Sequence, residues 1–100
     1  MCIGSPAVIV DIDEENMMAK IDFGDGIHRE AIIGVASEKL SVGDIVMIHA
    51  GVIISRFDEE GILEQIKFLE ELLGEDGRGM INMYENLMKI ARSLKGMIER

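Results

Sequence analysis

The sequence predicts a mainly β protein with a helical tail: a small antiparallel β-barrel over residues 1–57 and a helix or helical hairpin over 58–100. Three observations predict it. Residues 1–57 hold five short runs rich in β-branched side chains, divided by turn signals and with no crossover helix among them. From residue 58 the apolar spacing changes to threes and fours, the period of a helix. One hundred residues, 48% of them apolar, suit one globular domain, in which the barrel and the tail are parts of a single unit.

The elements follow in order. Pro6 opens the β-branched run Ala7 to Ile12, a good start for a strand because proline has no N–H to leave unpaired. Met17 to Phe23 alternates partly between apolar and polar, as a half-buried strand does. Gly24-Asp25-Gly26 tolerates positive φ and predicts a hairpin into Ile27 to Ile33. Ser41-Val42-Gly43-Asp44 is another turn, leading into Ile45 to Ala50. Gly51 then breaks the chain before Val52 to Phe57. About 57 residues suit either an OB-like or an SH3-like barrel.

Asp58 is placed to cap a helix whose first turn holds Glu59 and Glu60, both favourable beside the positive end of the dipole. Ile62, Ile66, Leu69 and Leu73 share one face, and Gly74 is a stop signal. After the linker 74–79, Met80, Met83, Leu87, Ile90, Leu94 and Met97 recur at 3-4-3-4-3 spacing and predict a second helix packed along that seam. The expected arrangement is an antiparallel helix pair over the barrel. The methionines also give an adaptable surface for a partner.

Charge narrows the function. The net charge of −9 disfavours nucleic acid and anionic membranes, both of which want a positive face. The acid is uneven: residues 58–79 carry eight acids and two bases, whereas 80–100 carry two acids and four bases. No run approaches the roughly 18–20 apolar residues of a membrane helix. The N-terminus lacks the basic and apolar regions of a signal peptide. With one cysteine no internal disulfide can form, so a reducing cytoplasm is the expected compartment.

Few residues can carry chemistry. There is one cysteine and two histidines, with no CxxC, HExxH or GxSxG motif, and the Gly24–Gly26 turn is not followed by a phosphate-cradling helix. Cys2 becomes N-terminal if Met1 is removed, and a neighbouring ammonium favours the thiolate that ligates metal or attacks carbon. The bland alternative is a frayed terminal residue. His49, in the apolar segment Val46 to Gly51, is either a hydrogen-bonded core residue or an imidazole that ligates metal or tunes a thiol. His28, beside Arg29 and Glu30, reads as a solvated surface residue.

Taken together, these segments resemble a known family. Met1-Cys2-Ile3-Gly4-Ser5-Pro6 is similar to the N-terminal signature of the HypC/HupF hydrogenase maturation chaperones. Asp22-Phe23-Gly24 with Arg29-Glu30 resembles that family's first hairpin, and Val42-Gly43-Asp44-Ile45-Val46-Met47-Ile48-His49-Ala50-Gly51 its Gly-Asp and His-Gly strand. Asp58-Glu59-Glu60 follows the same pattern, and the resemblance runs to about residue 74. Ser5 and Val52 depart from it where the family often has an aliphatic residue and Phe.

The resemblance implies an OB-like barrel and a non-enzymatic assembly role. It implies that such a chain binds HypD, reaches HypE through that complex, and escorts an Fe(CN)2CO group to the precursor of the [NiFe]-hydrogenase large subunit. Cys2 would be the thiol that meets iron or a partner cysteine, and His49 its helper. Ile3, Gly4, Pro6 and Gly51 would be motif residues for partner binding. No cofactor would be held by the chain alone; the iron with its CN and CO ligands would be transient and shared with HypD.

Two other classes remain open at this level. An N-terminal cysteine with a free amine is the arrangement of N-terminal-nucleophile hydrolases, although a small barrel gives little room for an oxyanion hole and substrate pocket. A small OB-type nucleic-acid module would want basic and stacking side chains, against three Phe, one Tyr and a charge of −9 here.

Overall fold

The computed structural model describes residues 4–34 and 39–98. Its strands are β1 (Ser5–Asp13), β2 (Met18–Asp22), β3 (His28–Ile33), β4 (Ile45–His49) and β5 (Val52–Phe57). Two helices follow, α1 (Glu59–Leu73) and α2 (Arg78–Ile98), joined by a single 3-10 turn at Gly74–Gly77. The strands close into a barrel in the order β1-β2-β3-β5-β4. This is the OB-like order, and it settles the choice between the two barrels the sequence allowed. A closed ring of five strands cannot be antiparallel throughout, because the number is odd. The odd junction is β3–β5, which runs parallel through Ile32↔Val52 and Ile33↔Ile53.

β1 serves two neighbours. Its first half pairs with β4, from Ser5↔Ile48 to Val8↔Ile45, and its second half with β2, from Val8↔Asp22 to Asp13↔Met18. A register shift between Ile9 and Asp11 accompanies the change of partner, as a bulge does where a strand bends. These registers define two rims. One carries Ser5, His49, Val52, Ile32 and Met18; the other carries Val8, Asp22, Ile45 and Phe57.

Both faces are buried over residues 6–9 of β1 and 45–48 of β4. Ala7, Ile9, Ala19, Ile21, Ala31, Val46, Ile48 and Ile53 fill the barrel, where the three alanines of β1, β2 and β3 leave space for the larger side chains. Val8 and Ile45 point outward and pack under the helices with Ile62, Leu69, Ile81, Tyr84, Leu87, Met88 and Ala91.

Asp58 caps α1 as expected: its Oδ1 accepts the Gly61 N–H at 2.7 Å. Gly74, at φ 55°, ends the helix, and its N–H donates to the Glu70 carbonyl. The helices form an antiparallel hairpin. Gly77 sits against Leu69 and Leu73 at the end of α1, while Arg92, late in α2, pairs with Glu59 at the start of α1.

Two expectations about this region are corrected. The linker 74–79 is a tight 3-10 turn rather than a loop, and α2 already begins at Arg78. The buried face of α2 is also not the predicted seam. Leu87 alone of those six residues is fully buried; Met83, Ile90 and Leu94 lie at its edge, and Met80 and Met97 are exposed. Ile81, Tyr84, Leu87, Met88 and Ala91 form the buried face, roughly a quarter turn around the helix from the predicted one. The cause is the double load on α2, which packs against β1 and β4 as well as α1. A seam facing a single partner helix cannot satisfy both.

Candidate functional site

β4 and β5 meet in a two-residue hairpin, Ala50–Gly51, closed by the pair His49↔Val52. Both turn residues are left-handed, Ala50 at φ 51° and Gly51 at φ 80°, the signature of a type I′ turn whose twist matches the strands. The turn holds His49 at the barrel's rim, where its side chain is exposed. The buried-core reading of His49 is therefore corrected: the apolar burial of β4 extends from Ile45 to Ile48 and stops one residue short of it.

Gly4 lies directly against that end of β4. Its φ is 124°, and a Cβ there would sit 2.1 Å from the Ile48 carbonyl oxygen and 3.4 Å from the His49 Cα. Only glycine lets the chain leading into β1 approach this closely. Pro6, buried, pairs with Met47, so the first residues of β1 are fixed along β4. The structure thus brings Gly4, Pro6, His49 and Gly51 together at one rim. Cys2 and Ile3 lie outside the described residues.

The neighbouring rim surface is apolar. Ile32 is exposed beside the half-buried Val52, and its N–H donates to the Gly51 carbonyl at 2.9 Å. Met17, also exposed, is left-handed at φ 54°, and its carbonyl accepts the Ile33 N–H. The sequence had placed Met17 inside a strand; the backbone reversal there begins β2 one residue later. His28 is exposed at the opposite rim, paired with Asp22, well away from His49. Among the described residues, no group of three or more His, Cys, Asp or Glu is placed to hold a metal ion.

The two buried acids among the described residues build turns. Asp22 Oδ1 accepts the Gly24 and Gly26 N–H groups at 2.7 and 3.2 Å, which shapes the β2–β3 hairpin. In the same turn, the Ile27 N–H and then the Arg29 guanidinium hold the Asp25 carboxyl below the usual range. Asp44 Oδ2 accepts the Ser41 N–H at 2.9 Å, and its Oδ1 lies 3.3 Å from Lys95 Nζ of α2. Gly43, at φ 93°, admits α2 so closely that a Cβ would sit 2.7 Å from Lys95 Cγ. A groove of about 150 Å³ runs between this turn and α2, past Phe57 and Met88. Glu59 pairs with Arg92 across it, and Asp44 with Lys95.

Residues 1–69 match the family model for the HupF/HypC family. This chain belongs to the HupF/HypC family. It is also 36% identical over 73 residues to the "Hydrogenase maturation factor HypC" of Helicobacter hepaticus (strain ATCC 51449 / 3B1), an alignment spanning 73% of this chain and 83% of that protein. The HupF/HypC match takes in the whole barrel, including the rim, and ends inside α1. α2 lies wholly beyond it.

Sequence reasoning missed Asp44 as the anchor of α2. The spacing from Asp44 to Lys95 carries no local signal, since it crosses from the barrel to the last turns of the final helix. It also missed the apolar rim formed by Ile32 and Met17. A β-branched residue in a strand reads as core unless the strand's end is known.

Proposed function

We propose that this protein is a hydrogenase maturation factor that acts by binding and handing over, without catalytic turnover. Its partners are HypD, HypE through the HypC–HypD complex, and the precursor of the [NiFe]-hydrogenase large subunit. Its cargo is iron carrying CN and CO ligands, held transiently and shared with HypD. Family membership supports the pathway. The observation that supports the site is the packing of Gly4 on the Ile48–His49 end of β4, at an exposed rim.

Adjacency in the chain connects that observation to the thiol. Cys2 precedes Gly4 by two residues in the sequence, and that adjacency is the basis for assigning the thiol to this rim. Cys2 supplies a soft thiolate that ligates iron, alone or beside a partner cysteine that is also an iron ligand, and it gives up its proton to solvent or to His49 as the Fe–S bond forms. His49 supplies an imidazole that can ligate iron beside it or accept that proton. The apolar surface at Ile32 and Val52 gives a partner something to bury next to the donor groups.

The test is hydrogenase maturation in cells carrying Cys2→Ala, Cys2→Ser or His49→Gln. Both Cys2 variants are expected to fold and to abolish maturation. His49→Gln is expected to melt within about 0.5 kcal/mol of the parent, because the side chain is exposed, yet to lower iron loading of the HypD complex. Gly4→Ala should impair maturation as well, through the collision with Ile48. Normal maturation by Cys2→Ala would sink the proposal.

A further inference from the structure

The outer side of α1 carries large apolar side chains that the hairpin does not use. Ile62 and Leu69 are buried against the barrel and α2, but Phe68 is 55% and Leu72 64% exposed. The two stand four residues apart, one above the other on the same shoulder of the helix. Leu63 is exposed elsewhere on α1, and Met80 just past the turn. Exposed leucines scattered singly need no explanation. A phenylalanine stacked one turn from a leucine is a different case, since together they make a contiguous patch on a regular element.

The charge beside the patch is strongly one-sided. Glu60, Glu64 and Glu71 follow each other at helical spacing along the solvent side of Phe68 and Leu72, all exposed. Lys67 is the single base within α1, against five glutamates. On α2, Arg92 is engaged with Glu59 and Lys95 with Asp44. Lys67 stands beside this row, three residues after Glu64 and four before Glu71, so the row carries three acids to one base and faces outward with a net negative charge.

We propose that this shoulder of α1 docks an amphipathic, basic segment of a partner protein. The segment lays aliphatic side chains across Phe68 and Leu72 and sets Lys or Arg against Glu60, Glu64 and Glu71. One helix face packs on another: apolar contact supplies the affinity, and the flanking charge selects the partner and its orientation. The surface is separate from the thiol rim. α1 follows the end of β5 that pairs with Ile45, whereas His49 and Val52 pair at the other end of the same two strands. A partner on α1 thus leaves the rim open, and two proteins can be held at once. Only this last consequence rests on the function proposed above; the docking surface stands without it.

The experiment is a titration of the isotopically labelled full chain with a synthetic amphipathic Leu/Lys helical peptide, followed by amide chemical shifts. A peptide of the same composition with its apolar stripe scrambled serves as the control. Shifts should concentrate on α1 around residues 60–72, and the scrambled peptide should bind at least tenfold more weakly. Phe68→Ser and Leu72→Ser should each weaken binding about tenfold, with thermal melting little changed because both side chains are exposed. Glu64→Lys with Glu71→Lys should weaken it further and flatten its salt dependence. Shifts spread over the acidic barrel surface, equal binding of the scrambled peptide, or unchanged affinity in the Phe68 and Leu72 variants would each overturn the proposal. A mass that grows with concentration for the parent chain alone, and not for Phe68→Ser, would also overturn it by making a second copy the occupant. Loss of maturation by Cys2→Ala leaves all these readouts untouched, so this surface and the thiol site fail or stand separately.

Discussion

Replacing Ala50 with Gly should stabilise this protein, although it removes a methyl group. Ala50 occupies the first central position of the β4–β5 turn at φ 51°, a conformation that brings Cβ too close to the following carbonyl. That cost is about 1–2 kcal/mol for an L-residue. Glycine removes it but gains freedom in the unfolded chain, which returns about 0.4–1 kcal/mol. The net gain is about 0.5–1 kcal/mol, or roughly 2–8 °C in Tm for a domain of this size. Gly51 provides the opposite experiment. Its φ is 80° and a Cβ there would meet nothing within 4 Å, so Gly51→Ala adds strain without a collision. It should lower stability by about 0.5–1 kcal/mol, from the same balance of terms. Thermal melting of both variants and of the double variant measures this directly, and the double variant should fall near the parent. A lower Tm for Ala50→Gly, or shifts of the same sign for the two single changes, would refute the reading of this turn.

Three further outcomes are expected. Leu87→Ala should cost about 2–5 kcal/mol by leaving a cavity between α2 and the barrel, while Met97→Ser, at 70% exposure, should change stability by under about 0.5 kcal/mol; chemical denaturation of both checks which face of α2 is buried. Lys95→Met should destabilise by about 1–3 kcal/mol, because Asp44 remains buried with its Oδ1 unpaired, and Asp44→Asn in the same chain should recover part of the loss. The Asp13 carboxyl is held below its ordinary range, chiefly by the Asn16 side chain and then by its backbone N–H. A depressed folded-state pKa gives stability that is present above the unfolded value and lost as pH falls through the folded one. Asn16→Ala should therefore raise the titration midpoint of Asp13 toward the ordinary carboxylate range, as read by carboxyl NMR, and should lower stability slightly at neutral pH but not in strong acid, so that stability falls less steeply with acid.

Local signals were legible in the sequence, and facing was not. Asp58 as a cap and Gly74 as a stop are readable because a cap is decided within four residues. The strand runs were readable for the same reason, and five strands with tight turns left few barrels to choose from. The buried face of α2 was hidden by composition. Met80, Ile81, Met83, Tyr84, Leu87, Met88, Ile90, Ala91, Leu94 and Met97 cover more than half of the helix circumference, so several stripes of correct spacing exist. Tyr84 decides among them. It is the largest fully buried side chain, yet a pattern that counts only aliphatic residues passes over it. At the rim, the pairing of Gly4 with the end of β4 needs the barrel to be closed first. Gly4 and His49 are more than forty residues apart in the chain, and no local pattern joins them.

The energetic role of α2 follows from the outer face of the barrel. Val8 and Ile45 are fixed outward by the registers of β1 with β4, and both need apolar cover on that face. Part of their cover comes from α1 through Ile62 and Leu69; the rest is Ile81, Tyr84, Leu87, Met88 and Ala91 of α2, beyond the residues matched by the family. Fully burying each large side chain contributes about 1.5–3 kcal/mol, and the five of α2 together outweigh both the exposed Arg92–Glu59 pair, at about 0–1 kcal/mol, and the half-buried Lys95–Asp44 pair. α2 is thus part of the fold rather than an appendage. It also leans on the barrel at the Gly43–Asp44 turn and the Gly24 carbonyl, both at the rim away from His49. Substitutions in the buried face of α2 should accordingly lower stability while the rim keeps its geometry, because the Gly4–Ile48 contact and the Ala50–Gly51 turn share no residue with that interface.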